Sequence, residues 1–323
     1  MKKRNILLVA LSTPVLALLL GGCSCGASFS EWWYEKNTDD PSSVGIVLPN
    51  DTIIDPMADH VQEKSNDWNI TASVVPAEEA EASLASIGTN RYGAEKTRQF
   101  FVALGQDVAN RFGALKNFKL VGSPAADPSG ITEVHTSAPN RLTYNLTQLS
   151  SKYTQGKYHD AVWVNGHKIA DSYRDPDYYT ATAGVQVALI DDAGNQRFSI
   201  NAVVSANADT AENASSMAIK AAVNDVMYQY GMRYAPPGHV TMMRGDGLFA
   251  KINIGQNDGV TLGMPVRFIQ YVSIGKLGNQ DNIQENIIAI GNVVKIEGES
   301  SWVKINCYHH KVVHIGCLVK LGN

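Results

Sequence analysis

The sequence predicts an α+β protein, with an α/β domain whose sheet is covered by helices followed by a small all-β barrel. Three observations predict this. Apolar residues recur every three or four positions between Arg91 and Phe112. They alternate singly from Val185 to Val204, and they return to period two after Pro236, Pro237 and Gly238.

The chain opens with Lys2, Lys3 and Arg4, then an apolar run from Ile6 to Leu20 interrupted by Ser12, Thr13 and Pro14. A spanning helix needs about 20 apolar residues, so this shorter, proline-broken run reads as a signal peptide over residues 1–22. Its ending, Leu20, Gly21, Gly22, Cys23, resembles the lipobox of bacterial lipoproteins. The resemblance implies cleavage before Cys23 and acylation of that cysteine, and Ser24 after it implies export to the outer membrane, on its periplasmic face. Each buried methylene contributes about 0.8 kcal/mol, so a multiply acylated Cys23 anchors the mature chain without a span.

Loss of residues 1–22 removes three basic groups, leaving 24 Lys and Arg against 31 Asp and Glu, about −7 in net charge. No basic stripe remains, and nucleic acid is not an expected partner.

Residues 23–43 read as a lipidated tether, small, polar and acidic. Trp32, Trp33 and Tyr34 interrupt it. They suit an interfacial anchor, a docking segment for a neighbouring subunit, or packing on their own domain. The α/β domain is expected over 44–235. Val44–Leu48 is its first strand, and Ile70–Val75 reads as a strand in a stretch whose place is otherwise undetermined. Thr97, Phe101, Leu104, Val108 and Phe112 form one apolar helix face. Phe118–Val121 reads as a strand, Asn140–Gln155 as a second helix and Asp160–Val164 as another strand. Alternation on both sides of Asp191, Asp192, Ala193, Gly194 and Asn195 predicts a hairpin. From Thr210 to Tyr230, Ala211, Ala214, Ala218, Ala222 and Val226 share a face narrow enough to approach a sheet, and Gly231 and the prolines end that helix.

The segments GIVLPN, NRFGALKNFKLV, YHDAVWVNGHKIADSY and VQVALIDDAGNQRFSINAVVS resemble a periplasmic domain found in three kinds of protein. These are the curli-secretion lipoprotein family (CsgG), the middle domain of the flagellar H-ring assembly protein family (FlgT) and the amino-terminal domain of the TolB family. The resemblance implies a CsgG/TolB-N-like α/β sandwich. Pore formation is not carried over, because the insertions SPAADPSGITEVHTSAPN and NGHKIADSYRDPDYY are polar and contain prolines, unlike membrane-barrel strands.

Over 239–323, Leu248, Ala250, Ile252 and Ile254 alternate with Phe249, Lys251 and Asn253. Val266, Phe268, Gln270 and Val272 alternate next, and a polar excursion runs from Gly275 to Asn286. Ile288, Ile290, Val294, Ile296, Val303, Ile305, Ile315, Val319 and Leu321 complete five or six short strands, the content of a small barrel. Gly255, Gly259 and Gly263 suit turns of positive φ. The run FAKINIGQNDGVTLGMPVRFIQ and its continuation resemble the carboxy-terminal β-domain of the flagellar H-ring protein family.

Cys307 and Cys317 fall on inward strand faces. A disulfide, a buried pair of thiols and a metal site with His309, His310 and His314 are all open readings, though the spacing lacks the paired C-x-x-C of structural zinc sites. Cys25 is left over. No GxxxxGK[ST], HExxH or GxSxG motif occurs, and the acids of DPDYY and LIDDAGN stand among turn formers. The expected function is therefore structural and non-enzymatic, with no cofactor and no metal. The chain is expected to be a multi-copy ring subunit of an envelope-spanning machine, foremost a type IV-like secretion-system outer-membrane core complex. A flagellar basal-body ring component is the alternative. A periplasmic ligand binder, or an enzyme with a dispersed site, is the second alternative.

Overall fold

The computed structural model describes residues 46–47, 69–88, 92–122, 138–164, 167–245, 247–277, 280–306 and 312–322. The fold is α+β with a closed six-stranded barrel. Two compact units divide the described residues: Asn66–Ala235 with Asn257–Gly259, and the remainder.

The first described element is β1 (Ile46–Val47), part of the strand expected over Val44–Leu48. It does not join the α/β sheet. It pairs antiparallel with Arg244 and Met243 of the barrel unit, so the expectation that it opens the α/β domain is corrected.

The α/β unit starts at β2 (Ile70–Pro76), followed by α1 (Ala80–Gly88), α2 (Gly93–Gly113) and β3 (Phe118–Leu120). β4 (Asn140–Thr154) comes next, then two small ladders: β5 (Tyr158–His159) with β8 (Tyr173–Arg174), and β6 (Val162–Val164) with β7 (His167–Ala170). The unit closes with β9 (Tyr178–Ile190), β10 (Gln196–Ala208) and α3 (Ala211–Tyr234). Its main sheet runs β10-β9-β4-β2-β3. β2 is parallel to both β3 and β4, and β4, β9 and β10 are antiparallel.

Helix α2 buries Thr97, Phe101, Leu104, Val108 and Phe112, the face expected from their spacing, and adds Gly105. A Cβ at Gly105 would lie 2.5 Å from the Tyr144 ring, so glycine here permits the helix to meet β4. α3 is capped by Thr210, whose hydroxyl accepts the Asn213 N–H at 3.1 Å. Ala214, Ala218 and Ala222 are fully buried, while Ala211 is only half-buried. The helix runs through Gly231 to Tyr234, past the stop expected there. Tyr230 anchors an aromatic cluster, with ring centroids 5.3 Å from Phe112, 5.9 Å from Phe118, 5.7 Å from Phe198 and 5.3 Å from Tyr234. Such pairs contribute about 0.5–1.5 kcal/mol each beyond the area they bury.

Asn140–Thr154 is a strand, not the helix the spacing over Asn140–Gln155 suggests. The register shifts between Leu146 and Gln148, so Leu142, Tyr144 and Leu146 share a face with Leu149 across the bulge. One inserted residue changes even positions to odd ones, and the leucines then fall at helix-like intervals of four and three.

In the barrel unit β11 (Gly238–Arg244), β12 (Phe249–Ile252), β13 (Pro265–Leu277), β14 (Gln280–Ile296), β15 (Ser301–Ile305) and β16 (Leu318–Leu321) pair in the ring order β11-β12-β15-β14-β13-β16. The β11–β16 pairing closes it and removes the sheet edges. Val240, Ala250, Ile252, Val266, Phe268, Val303, Ile305 and Val319 are at most 1% exposed. The polar excursion expected over 275–286 is instead part of the long β13–β14 hairpin. A bulge between Phe268 and Ile269 reverses the facing of β13, leaving Gln270 and Val272 exposed and burying Ile269 and Tyr271. Phe249, expected opposite the core residues, is also buried, against Leu248 and Trp302. Gly259 and Gly263 have φ of 88° and 78°. Gly255 is required for space instead, since a Cβ there would lie 2.4 Å from the Ser300 nitrogen.

Candidate docking surface

Cys23, Trp32, Trp33, Tyr34, Cys25, Cys307, His309 and His310 lie outside the described residues. Cys317 is buried, and its sulfur accepts the His314 N–H at 3.3 Å and lies 3.4 Å from His314 Nδ1. Among the described residues no cluster of three His, Cys, Asp or Glu side chains is arranged to hold a metal ion. No helix among them is long and apolar enough to cross a membrane.

Among the described residues, the largest concentration of exposed apolar side chains lies on an arm between β4 and β9. The β4–β9 pairing continues to Thr154 and Tyr178, and the β5–β8 and β6–β7 ladders extend the same hairpin outward to Val164 and His167. Trp163 is 61% exposed and Ile169 63%, and Val162, Val164, Tyr158 and Tyr173 are exposed beside them. Trp163 pairs with Lys168 and Val164 with His167, so apolar side chains occupy both faces of the tip. Asp160–Val164, expected as a strand of the α/β domain, is thus the outer part of this arm and does not join the main sheet.

The arm has an ordered base. Asp177 accepts hydrogen bonds from the Tyr153 hydroxyl, from the Gly156 N–H at 2.8 Å and from Arg174 Nη2 at 2.8 Å. The Tyr153 bond, then the Gly156 N–H and Arg174, hold its carboxyl below the usual carboxylate range. The Tyr153 phenol is raised by the same contact. Further out, the His159 ring stacks on Tyr173 with centroids 4.5 Å apart, and Nε2 lies 2.9 Å from Asp175 Oδ2.

The second half of this segment, expected as a polar insertion, forms the return of the arm. Its signal was legible in VWVNGHKIA, where Asn-Gly lies between two apolar runs. A second exposed apolar set, Val272, Ile274 and Ile287, lies on the β13–β14 hairpin. The α/β unit also has an open cleft of about 410 Å³ lined by Glu78, Arg141, Thr143, Gln186 and Gln196. Arg141 there faces Glu78 at 4.0 Å.

The chain matches no protein-family model and no curated protein.

Proposed function

We propose that the protein is a non-enzymatic structural lipoprotein, anchored by acylated Cys23 at the periplasmic face of the outer membrane, and a subunit of an envelope-spanning assembly. The observation that carries this reading is the β4–β9 arm, which holds Trp163 and Ile169 in solvent on a tip braced at its base by Asp177. Clustered exposed apolar side chains of this kind mark interaction sites, and bracing them in advance lowers the ordering entropy lost on docking. A secretion-system outer-membrane core complex is the favoured setting, because the lipobox-like ending at Cys23 supplies an anchor that the flagellar ring reading does not need. In this reading the α/β unit is of the CsgG, FlgT-middle and TolB-N type and the barrel is of the FlgT carboxy-terminal type. The mixed sheet covered by helices, followed by a closed barrel, supports that reading.

The test is the native size of the protein extracted from its own cells in mild detergent, with co-migrating proteins identified by mass spectrometry. A large species containing secretion or flagellar proteins is expected. A lone species of about the chain's own mass overturns the proposal and favours a ligand binder, for which the cleft beside Arg141 is the starting point. C23S tests the anchor, and outer-membrane fractionation without a lipid-dependent mass shift would remove it.

A further inference from the structure

The open cleft of the α/β unit, about 410 Å³, has neighbouring strands of the main sheet as its floor. β4 supplies Arg141 and Thr143, β9 supplies Gln186 and Ala188, and Gln196 stands at the start of β10. One wall is the turn from β2 into α1, with Glu78 and Glu79. The volume is in the range of small-ligand sites.

Asn145 continues this floor inward. It follows Thr143 on the same face of β4 and pairs in register with Gln186. It is 1% exposed, and its Nδ2 donates to Ser83 Oγ of α1 at 3.2 Å. Among the described residues Oδ1 of the same side chain has no hydrogen-bond partner. Buried polar atoms are normally paired, so an unused acceptor lies beside the inner end of the cleft.

Arg141 stands toward the outer end. Its Nη1 lies 4.0 Å from Glu78 Oε1, beyond hydrogen-bond range, and the Glu78 side chain is 90% exposed. A pair of this kind contributes little, and the guanidinium fork is open to a ligand carboxylate.

The spacing and the charges select the ligand. Arg141 and Asn145 are separated by about 13 Å of strand, so one small anion cannot meet both. Glu78 and Glu79 also stand beside the single cation and disfavour a simple anion. A short extended peptide meets the whole set. Its terminal carboxylate pairs with Arg141, its backbone amides meet Gln186 and Gln196, and an N–H about four residues from the carboxylate donates to Asn145 Oδ1. We infer that the cleft binds a short peptide by its carboxylate end, the chemistry shared by free peptides and by protein carboxy termini. The inference goes beyond the assembly reading and does not depend on it.

Calorimetry on the mature full-length protein in mild detergent tests it with tetra-alanine, its carboxy-terminal amide, its N-acetylated form, di-alanine and acetate. The wild type is compared with Arg141→Ala and with Lys119→Ala, which removes a cation from β3. Both positions are exposed, and unchanged unfolding midpoints establish that the variants fold. The wild type and Lys119→Ala are expected to bind tetra-alanine roughly tenfold or more tighter than the amide, di-alanine or acetate. In Arg141→Ala the acid and the amide should bind alike. Equal affinity for the N-acetylated form assigns the site to protein carboxy termini, and weaker affinity assigns it to free peptides. Acetate or di-alanine binding as tightly as tetra-alanine overturns the peptide assignment. Failure of tetra-alanine to bind, or a preference for acid over amide that survives Arg141→Ala, overturns the site and leaves the assembly reading intact.

Discussion

Arg174 and Asp177 are held side by side where the exposed arm leaves the main sheet, Nη2 to Oδ1 at 2.8 Å, and Arg174 Nε also reaches the Gly156 carbonyl at 3.3 Å. Tyr153 and the Gly156 N–H complete the set around Asp177. One carboxylate thus connects β4, the start of the arm and its return.

Removing that carboxylate is expected to loosen the arm without unfolding the domain. In Asp177→Ala, hydrogen exchange should quicken at Gly156 and through residues 158–174 while β9 and β10 remain protected. Because the Asp177 pKa is depressed, the same loosening should occur in the wild type as pH falls below the usual carboxylate range, and be absent above it. Equal exchange in variant and wild type would show that the strands of the arm hold themselves.

Trp163 is 61% and Ile169 63% exposed, so removing them is expected to disturb the fold little. Trp163→Ser with Ile169→Ser is expected to change stability by less than about 0.5 kcal/mol, as measured by denaturant unfolding. The same variant should lose co-migrating partners in detergent extracts. Retained partners would remove the arm from the assembly reading.

Gly105→Ala tests the contact between α2 and β4. The added methyl would lie 2.5 Å from Cζ and Oη of Tyr144, whose ring also packs on Phe101 at 4.9 Å. The expected cost is about 1–3 kcal/mol, even though alanine is the better helix former by about 1 kcal/mol. Tyr144→Phe in the same background should recover part of the loss, and its absence would mean that the helix backbone moves instead.

Stability should fall as pH rises above about 10, through two buried tyrosines. Burial pushes Tyr144 up to about 12 and Tyr230 up to about 12, the latter in spite of the Asn117 amide donating to its hydroxyl at 2.8 Å. A pKa raised on folding means that the unfolded chain loses its proton first. The stabilisation is therefore complete below pH 10 and is lost between about pH 10 and 12, up to about 3 kcal/mol per tyrosine. Unfolding midpoints against pH, with phenolate absorbance, measure it. Tyr230→Phe should flatten the decline and cost about 1 kcal/mol at neutral pH through the lost Asn117 bond.

The sequence by itself determined the elements whose pattern is local and regular. The buried face of α2 from Thr97 to Phe112, the β9–β10 hairpin around Gly194 and the Thr210 start of α3 follow from period and capping chemistry. Tertiary structure decided the rest. Bulges after Leu146 and Phe268 changed the facing of β4 and β13, because one extra residue in a ladder inverts every position beyond it and is specified by the neighbouring strand. The pairing of β1 with Arg244 and Met243 depended on a partner some 200 residues away, beyond any local signal. Gly255, expected for its φ, is glycine because Glu297, Gly298 and Ser300 crowd it. Of the candidate surface, the sequence of VWVNGHKIA contained the hairpin but not its exposure. The same alternating valines would serve equally well in a core, and only the exposure of Val162, Trp163 and Val164 in the folded chain places them on a surface.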